Sequence, residues 1–187
     1  MKVPVVDNGG QWTHREWRVL RDLGVETRIV PNTLPFEELD ADAVVLSGGA
    51  LSLEGTDTPL GRVGEWIDRA PFPVLAICVG HQFLGRQFGG RVARGGAEFG
   101  SVELTVDRPD HPMFSGLPAH LRVWASHNDQ VVTPPPGWNV LAHSPSCPVE
   151  AMAHPTRPLW GVQFHPEVEH TENGREIFRR FLGLAHQ

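Results

Sequence analysis

Short apolar runs, each closed by glycine or polar residues, recur along the first half of the chain. Residues 3–6 are wholly apolar and end in Asp7-Asn8-Gly9-Gly10, the pattern of a buried strand stopped by a turn. Over 12–23, apolar groups at Trp12, Trp17, Val19, Leu20 and Leu23 suit a helix that Gly24 ends. Residues 25–30 read as a second strand, 31–39 as a loop with a short turn, and 43–46 as a third strand running into Ser47-Gly48-Gly49. Residues 60–69 place Val63, Trp66 and Ile67 on one helical face. The run 74–78 is almost wholly apolar, as a strand covered on both faces should be, and a helix over 81–88 stops at Gly89-Gly90.

The second half is richer in strands, at 101–106, 121–125, 139–142, 150–153 and 159–164, separated by proline-containing turns. The last of these ends in His165-Pro166-Glu167, and a final helix over 174–184 carries Ile177, Phe178, Phe181 and Leu182 on its sheet-facing side. The alternation predicts an α/β fold: an open, mostly parallel sheet flanked by helices, with a strand-rich second half. No linker or internal repeat divides the chain, so 1–187 is expected to form one domain.

Composition narrows the function. Sixteen basic and 22 acidic residues give a net charge of −6, which argues against a nucleic-acid binder working by bulk charge. The apolar start is too short for a signal peptide, and no run approaches a membrane span. Two cysteines cannot build a disulfide framework, so a reducing, cytoplasmic setting without a membrane partner is expected. No His-Glu-x-x-His, Cys-x-x-Cys, Walker or dinucleotide pattern occurs, so neither a metal nor an ATP site is expected on this chain.

Cys78 ends a buried strand and precedes Val79-Gly80-His81-Gln82. A strand, a sharp turn and a helix would project one side chain from the top of a parallel sheet, with the following amides and a thiolate-favouring helix N-terminus around it. His165 and Glu167 alternate on what reads as an extended segment, so both can face the same rim. A thiolate nucleophile needs a base that later protonates a leaving amine, and the base needs an orienting carboxylate. Cys78, His165 and Glu167 fit those three roles. Gly48 and Gly49 leave backbone amides open to a ligand, and the Gly49 and Val79 N–H groups are the oxyanion candidates. Cys147, between Ser146 and Pro148, reads as a turn cysteine with no catalytic part.

The segments Ala76-Ile77-Cys78-Val79-Gly80-His81-Gln82, Gly161-Val162-Gln163-Phe164-His165-Pro166-Glu167 and Ser47-Gly48-Gly49 resemble the nucleophile, His-Pro-Glu and oxyanion segments of class I glutamine amidotransferases, whose fold is flavodoxin-like. Val5-Val6-Asp7-Asn8-Gly9-Gly10-Gln11, Trp124-Ala125-Ser126-His127-Asn128-Asp129 and Val168-Glu169-His170-Thr171 are similar, more narrowly, to the glutaminase subunits of two-subunit, archaeal-type GMP synthases. The resemblance implies hydrolysis of glutamine through a Cys78 glutamyl thioester, with Gly48, Gln82, Asn128 and Asp129 around the substrate. It further implies ammonia delivery to a separate ATP-pyrophosphatase subunit that aminates XMP, ATP and Mg2+ belonging to that partner. A length of 187 residues would leave no room for the synthetase.

Two positions depart from the family pattern. Ala50 stands where proline is usual, which should leave the Gly49 amide less fixed. Gln130 stands where an acid is common, which should weaken a charge contact to substrate or partner. Other readings are a glutaminase serving an anthranilate- or carbamoyl-phosphate-type acceptor, a γ-glutamyl hydrolase, or a catalytically silent regulatory protein on the same fold.

Overall fold

A computed structural model describes residues 1–55 and 57–187. The strands are β1 (Val5–Asp7), β2 (Ile29–Pro31), β3 (Val44–Leu46), β4 (Val74–Ile77), β5 (Arg91–Val106), β6 (His120–Thr133), β7 (Asn139–His143), β8 (Ala151–Ala153) and β9 (Leu159–Val162). They form one sheet in the order β2-β1-β3-β4-β9-β8-β7-β5-β6. The helices are α1 (Thr13–Asp22), α2 (Val79–Gln87) and α3 (Gly174–Ala185).

Pairing is parallel from β2 to β9 and antiparallel from β9 to β6. The sheet is therefore mixed rather than mostly parallel. Parallel neighbours need a crossover, and the first half supplies crossovers in α1 and in the 47–73 connection; the short turns of the second half permit only antiparallel pairing.

The apolar runs bury because both faces of the parallel half are covered. Val5, Val45, Leu75 and Ile77 face a core shared with Leu20 of α1 and Ile177, Phe178 and Phe181 of α3. The intervening Val6, Val44, Leu46, Val74 and Ala76 face a second core with Trp66, Phe83 and Leu84. Period-two alternation between two apolar faces leaves a continuous apolar run in the sequence.

Three elements differ from the sequence reading. The helix expected over 60–69 is two isolated 3-10 turns, Val63–Glu65 and Ile67–Arg69, although Trp66 and Ile67 are buried as expected. Gly61 has φ +54° and Gly64 lies inside the segment, and glycine is poor at propagating a helix. The strands expected at 101–106 and 121–125 are stretches of the much longer β5 and β6. Gly95-Gly96 lies where the pairing register shifts between Arg94 and Glu98, so the strand bulges there instead of ending. Among the described residues no helix is long and apolar enough to cross a membrane.

Candidate functional site

The tips of β1, β3, β4 and β9 meet at the carboxyl edge of the parallel half, where open α/β sheets place their ligand crevices. A cleft of about 520 Å³ opens there. Cys78 follows β4 directly and takes φ +52° and ψ −108°, a backbone region costly for a side-chain-bearing residue. The Cys78 N–H is held by the Val162 carbonyl at 2.9 Å, and α2 starts at the next residue, two positions earlier than expected. The helix can start this close to β3 because position 80 is glycine: a Cβ there would lie 3.0 Å from the Leu46 Cβ. Val79, as the first helical residue, has an amide without an intrahelical acceptor.

His165 and Glu167 lie beyond the end of β9, in a turn rather than on an extended strand. That turn is clamped to β6: the His165 N–H donates to the Trp124 carbonyl at 2.8 Å, and the Trp124 N–H donates to Thr171 Oγ1 at 2.9 Å. Thr171 Oγ1 in turn donates to the His165 carbonyl at 2.7 Å. The turn brings His165 Nδ1 to 2.6 Å from Glu167 Oε1, with both side chains buried. Cys78 lies beside the same imidazole, both flanking Gly48. Burial opposes a charge on His165, but the neighbouring Glu167 carboxylate and Cys78 outweigh it and hold the imidazole well above its ordinary value. The edge of Trp12 packs on the ring at 4.6 Å between centroids.

Gly48 passes between the nucleophile and the imidazole: a Cβ there would lie 3.1 Å from His165 Cε1 and 3.3 Å from Cys78 Cβ. At Gly49 a Cβ would overlap the Asn8 carbonyl oxygen. Asn8 pins the loop further, its N–H donating to Ser47 Oγ and its Nδ2 to the Ser47 carbonyl, each at 2.8 Å. The Gly48–Gly49 backbone is thus held by the loop after β1, although position 50 is not proline.

Asn128 and Asp129 lie on β6 and line the far wall of the cleft, with Ser126 and His127. Ser52 Oγ donates to Asp129 Oδ2 at 2.5 Å. Gln82 also lines the cleft, and its Nε2 donates to the Asp129 carbonyl at 2.7 Å and to Gln163 Oε1 at 3.2 Å. Gln130 is not among the residues lining the cleft: its buried side chain packs against Gly95.

Three groups were not legible as site residues. Gln163 Nε2 donates to Cys78 Sγ at 3.6 Å. Glu16, only 1% exposed, sits beside Glu167; burial first, then the Glu167 charge, hold its carboxyl well above the usual range. Its signal was a carboxylate on the buried stripe of α1, four residues before Leu20. The third is a buried cluster of Glu98, His127, Cys147 and Glu150, whose potential ligand atoms lie within 4.8 Å of one another. Cys147 lies in the connection after β7 and is buried in this polar cluster, and burial pushes its thiol up. Hydrogen bonds already engage much of this cluster: His127 Nε2 is 2.8 Å from Glu98 Oε1, and Ser144 and Ser146 donate to Glu98 Oε2 at 2.6 and 2.8 Å.

The family model for class I glutamine amidotransferases matches residues 4–184. Over 187 residues the chain is 49% identical to a subunit of the glutamine-hydrolyzing GMP synthase of Thermoplasma acidophilum, covering 99% of this chain and 93% of that protein. The corresponding protein of Pyrococcus abyssi is 48% identical, with 98% of each chain covered. A solved Thermoplasma acidophilum structure, of a proposed GMP synthase subunit, superposes with a TM-score of 0.90 at 47% identity, covering 100% of this chain and 94% of that one.

Proposed function

Because the chain belongs to the class I glutamine amidotransferase family, we propose that it is the glutaminase subunit of a two-subunit GMP synthase, with Cys78, His165 and Glu167 as its catalytic residues. One observation carries the site assignment: a buried cysteine in a strained turn beside an imidazole whose Nδ1 meets a carboxylate at 2.6 Å.

The Cys78 thiolate attacks the side-chain amide carbon of glutamine. The oxyanion that forms is held by the N–H groups of Gly49 and Val79. His165, charged and oriented by Glu167, gives its proton to the departing nitrogen, and ammonia leaves. The remaining glutamyl thioester is hydrolysed by water, whose proton His165 takes; glutamate departs and the thiolate returns. Gly48, Gln82, Asn128 and Asp129 surround the substrate, with Asp129 placed to meet its charged α-amino end.

Ammonia passes to an ATP-pyrophosphatase subunit that aminates XMP, and ATP and Mg2+ are bound by that partner. The Thermoplasma and Pyrococcus relatives, matched over nearly their whole length, support this pairing. The test is glutamate release from glutamine by the purified chain mixed with such a partner, ATP, Mg2+ and XMP. Activity is expected with XMP and not with anthranilate- or carbamoyl-phosphate-type acceptor systems. No glutamate release in the complete mixture would sink the reading.

A further inference from the structure

Glu98, Cys147 and Glu150 lie outside the cleft, and His127 joins them to the glutamine wall. His127 Nδ1 is 2.9 Å from the Asp129 carbonyl, and its Nε2 is 2.8 Å from Glu98 Oε1. A carbonyl oxygen only accepts, so Nδ1 must carry hydrogen, and Nε2 faces a carboxylate. His127 is therefore held at both ends, by Glu98 behind it and by Asp129 in front. The Asp129 carbonyl also accepts from Gln82, which reaches Gln163 and so Cys78 Sγ.

Glu98 itself is fixed. Ser144 and Ser146 donate to one oxygen, and the Ser144 hydroxyl is oriented by the Cys147 N–H at 3.0 Å. Glu150 is fully buried beside Glu98, their oxygens within 4.8 Å, and neither of its carboxyl oxygens has a hydrogen-bond partner. Two adjoining buried carboxyl groups cannot both ionise, so Glu150 is the one that keeps its proton. Despite burial, His127 first and then Ser144 and Ser146 hold the Glu98 carboxyl down to about 2, while burial and the Glu98 charge hold Glu150 well above the usual range. His81, the other buried histidine nearby, is kept neutral at about 4 by burial and bonds the Val149 carbonyl, so His127 is the imidazole that meets Glu98.

We propose that Glu98 is a positioning residue for glutamine binding: through His127 it sets the Ser126–Asp129 wall of the cleft without touching substrate. The inference rests on the glutaminase reading.

The test uses the full chain with its synthetase partner. KM for glutamine and kcat are measured for wild type, Glu98→Gln and Glu150→Gln. Cys78 alkylation is followed with iodoacetamide and with a chloroketone analogue of glutamine. Glu98→Gln is expected to raise KM about tenfold or more, since a buried hydrogen bond to a charge is lost, with kcat within about threefold of wild type. The analogue should react more slowly in parallel, and iodoacetamide at the wild-type rate. Glu150→Gln should retain wild-type KM, because the amide is neutral like the protonated acid it replaces. If Glu98→Gln fails to fold, Ser146→Ala decides. It removes one donor at an exposed position, and a KM rise of about two- to fivefold sustains the inference.

An unchanged KM in the folded variant, a loss confined to kcat, or equal slowing by iodoacetamide overturns it. So does a stoichiometric metal in wild type whose removal raises KM, which would make these side chains ligands instead. A wild-type complex that releases no glutamate overturns the glutaminase reading itself; an active complex indifferent to Glu98 overturns only this inference.

Discussion

The two halves of the sheet do different work. The parallel half is short-stranded and apolar on both faces, and its strands end abruptly in the loops that carry Cys78, Gly48–Gly49 and His165. The antiparallel half is built on a long bulged hairpin, and it carries polar groups inward: Glu98, His127 and Gln130 are all buried on β5 and β6. Reacting groups gain from the parallel edge because short, fully packed strands fix the points from which loops leave. The hairpin contributes a wall, and a wall can be held from behind by buried polar contacts. Substitutions at the parallel edge should therefore remove rate, and substitutions on the hairpin should weaken binding.

Cys78→Ala is the largest expected effect. Glutamine-dependent amination should fall by at least about a thousandfold while ammonia-dependent amination by the complex is spared. Equal loss of both would break the assignment of Cys78 to the glutaminase step. Gly49→Ala comes next, because its Cβ would overlap the Asn8 carbonyl and displace an oxyanion amide. A fall in kcat of about a hundredfold is expected, with an unaltered melting curve as the control.

On the hairpin, Asp129→Asn should raise KM for glutamine about tenfold and change kcat little, through loss of a charged contact. A kcat loss as large as that of Gly49→Ala would erase the contrast between the halves.

The smallest effect concerns pH. His165 is held well above 6.5, because Glu167 and Cys78 outweigh burial. The imidazolium proposed to protonate the departing nitrogen thus persists above 6.5, and the alkaline fall in kcat should begin above that value. Glu167→Gln removes the main raising charge, so the alkaline limb should move to lower pH. A limb that stays in place would deny Glu167 its role.

Local pattern went far in the parallel half. Val5–Val6, Val44–Leu46 and Val74–Ile77 announce themselves because both faces are apolar, and Cys78 is marked by its place at the end of such a run. The hairpin was half-hidden. Only pairing with β6 carries the strand across Gly95 and Gly96. The helix over 60–69 failed for the opposite reason: its apolar positions do pack, but two glycines leave isolated turns sufficient to bury them.

The sequence by itself determined the short parallel strands, the residues at their tips and the identity of the chemical groups, since all of these follow from local periodicity, turn residues and matched motifs. Tertiary structure alone decided that His165 and Glu167 meet through a turn clamped to Trp124, that Gln130 turns away from the cleft, and that Glu98, His127, Cys147 and Glu150 come together. Glu98 lies on β5, His127 on β6, and Cys147 and Glu150 in the connection between β7 and β8. Their association depends on which strands pair and where the bulge falls, and that is fixed by long-range register rather than by any stretch of sequence read alone.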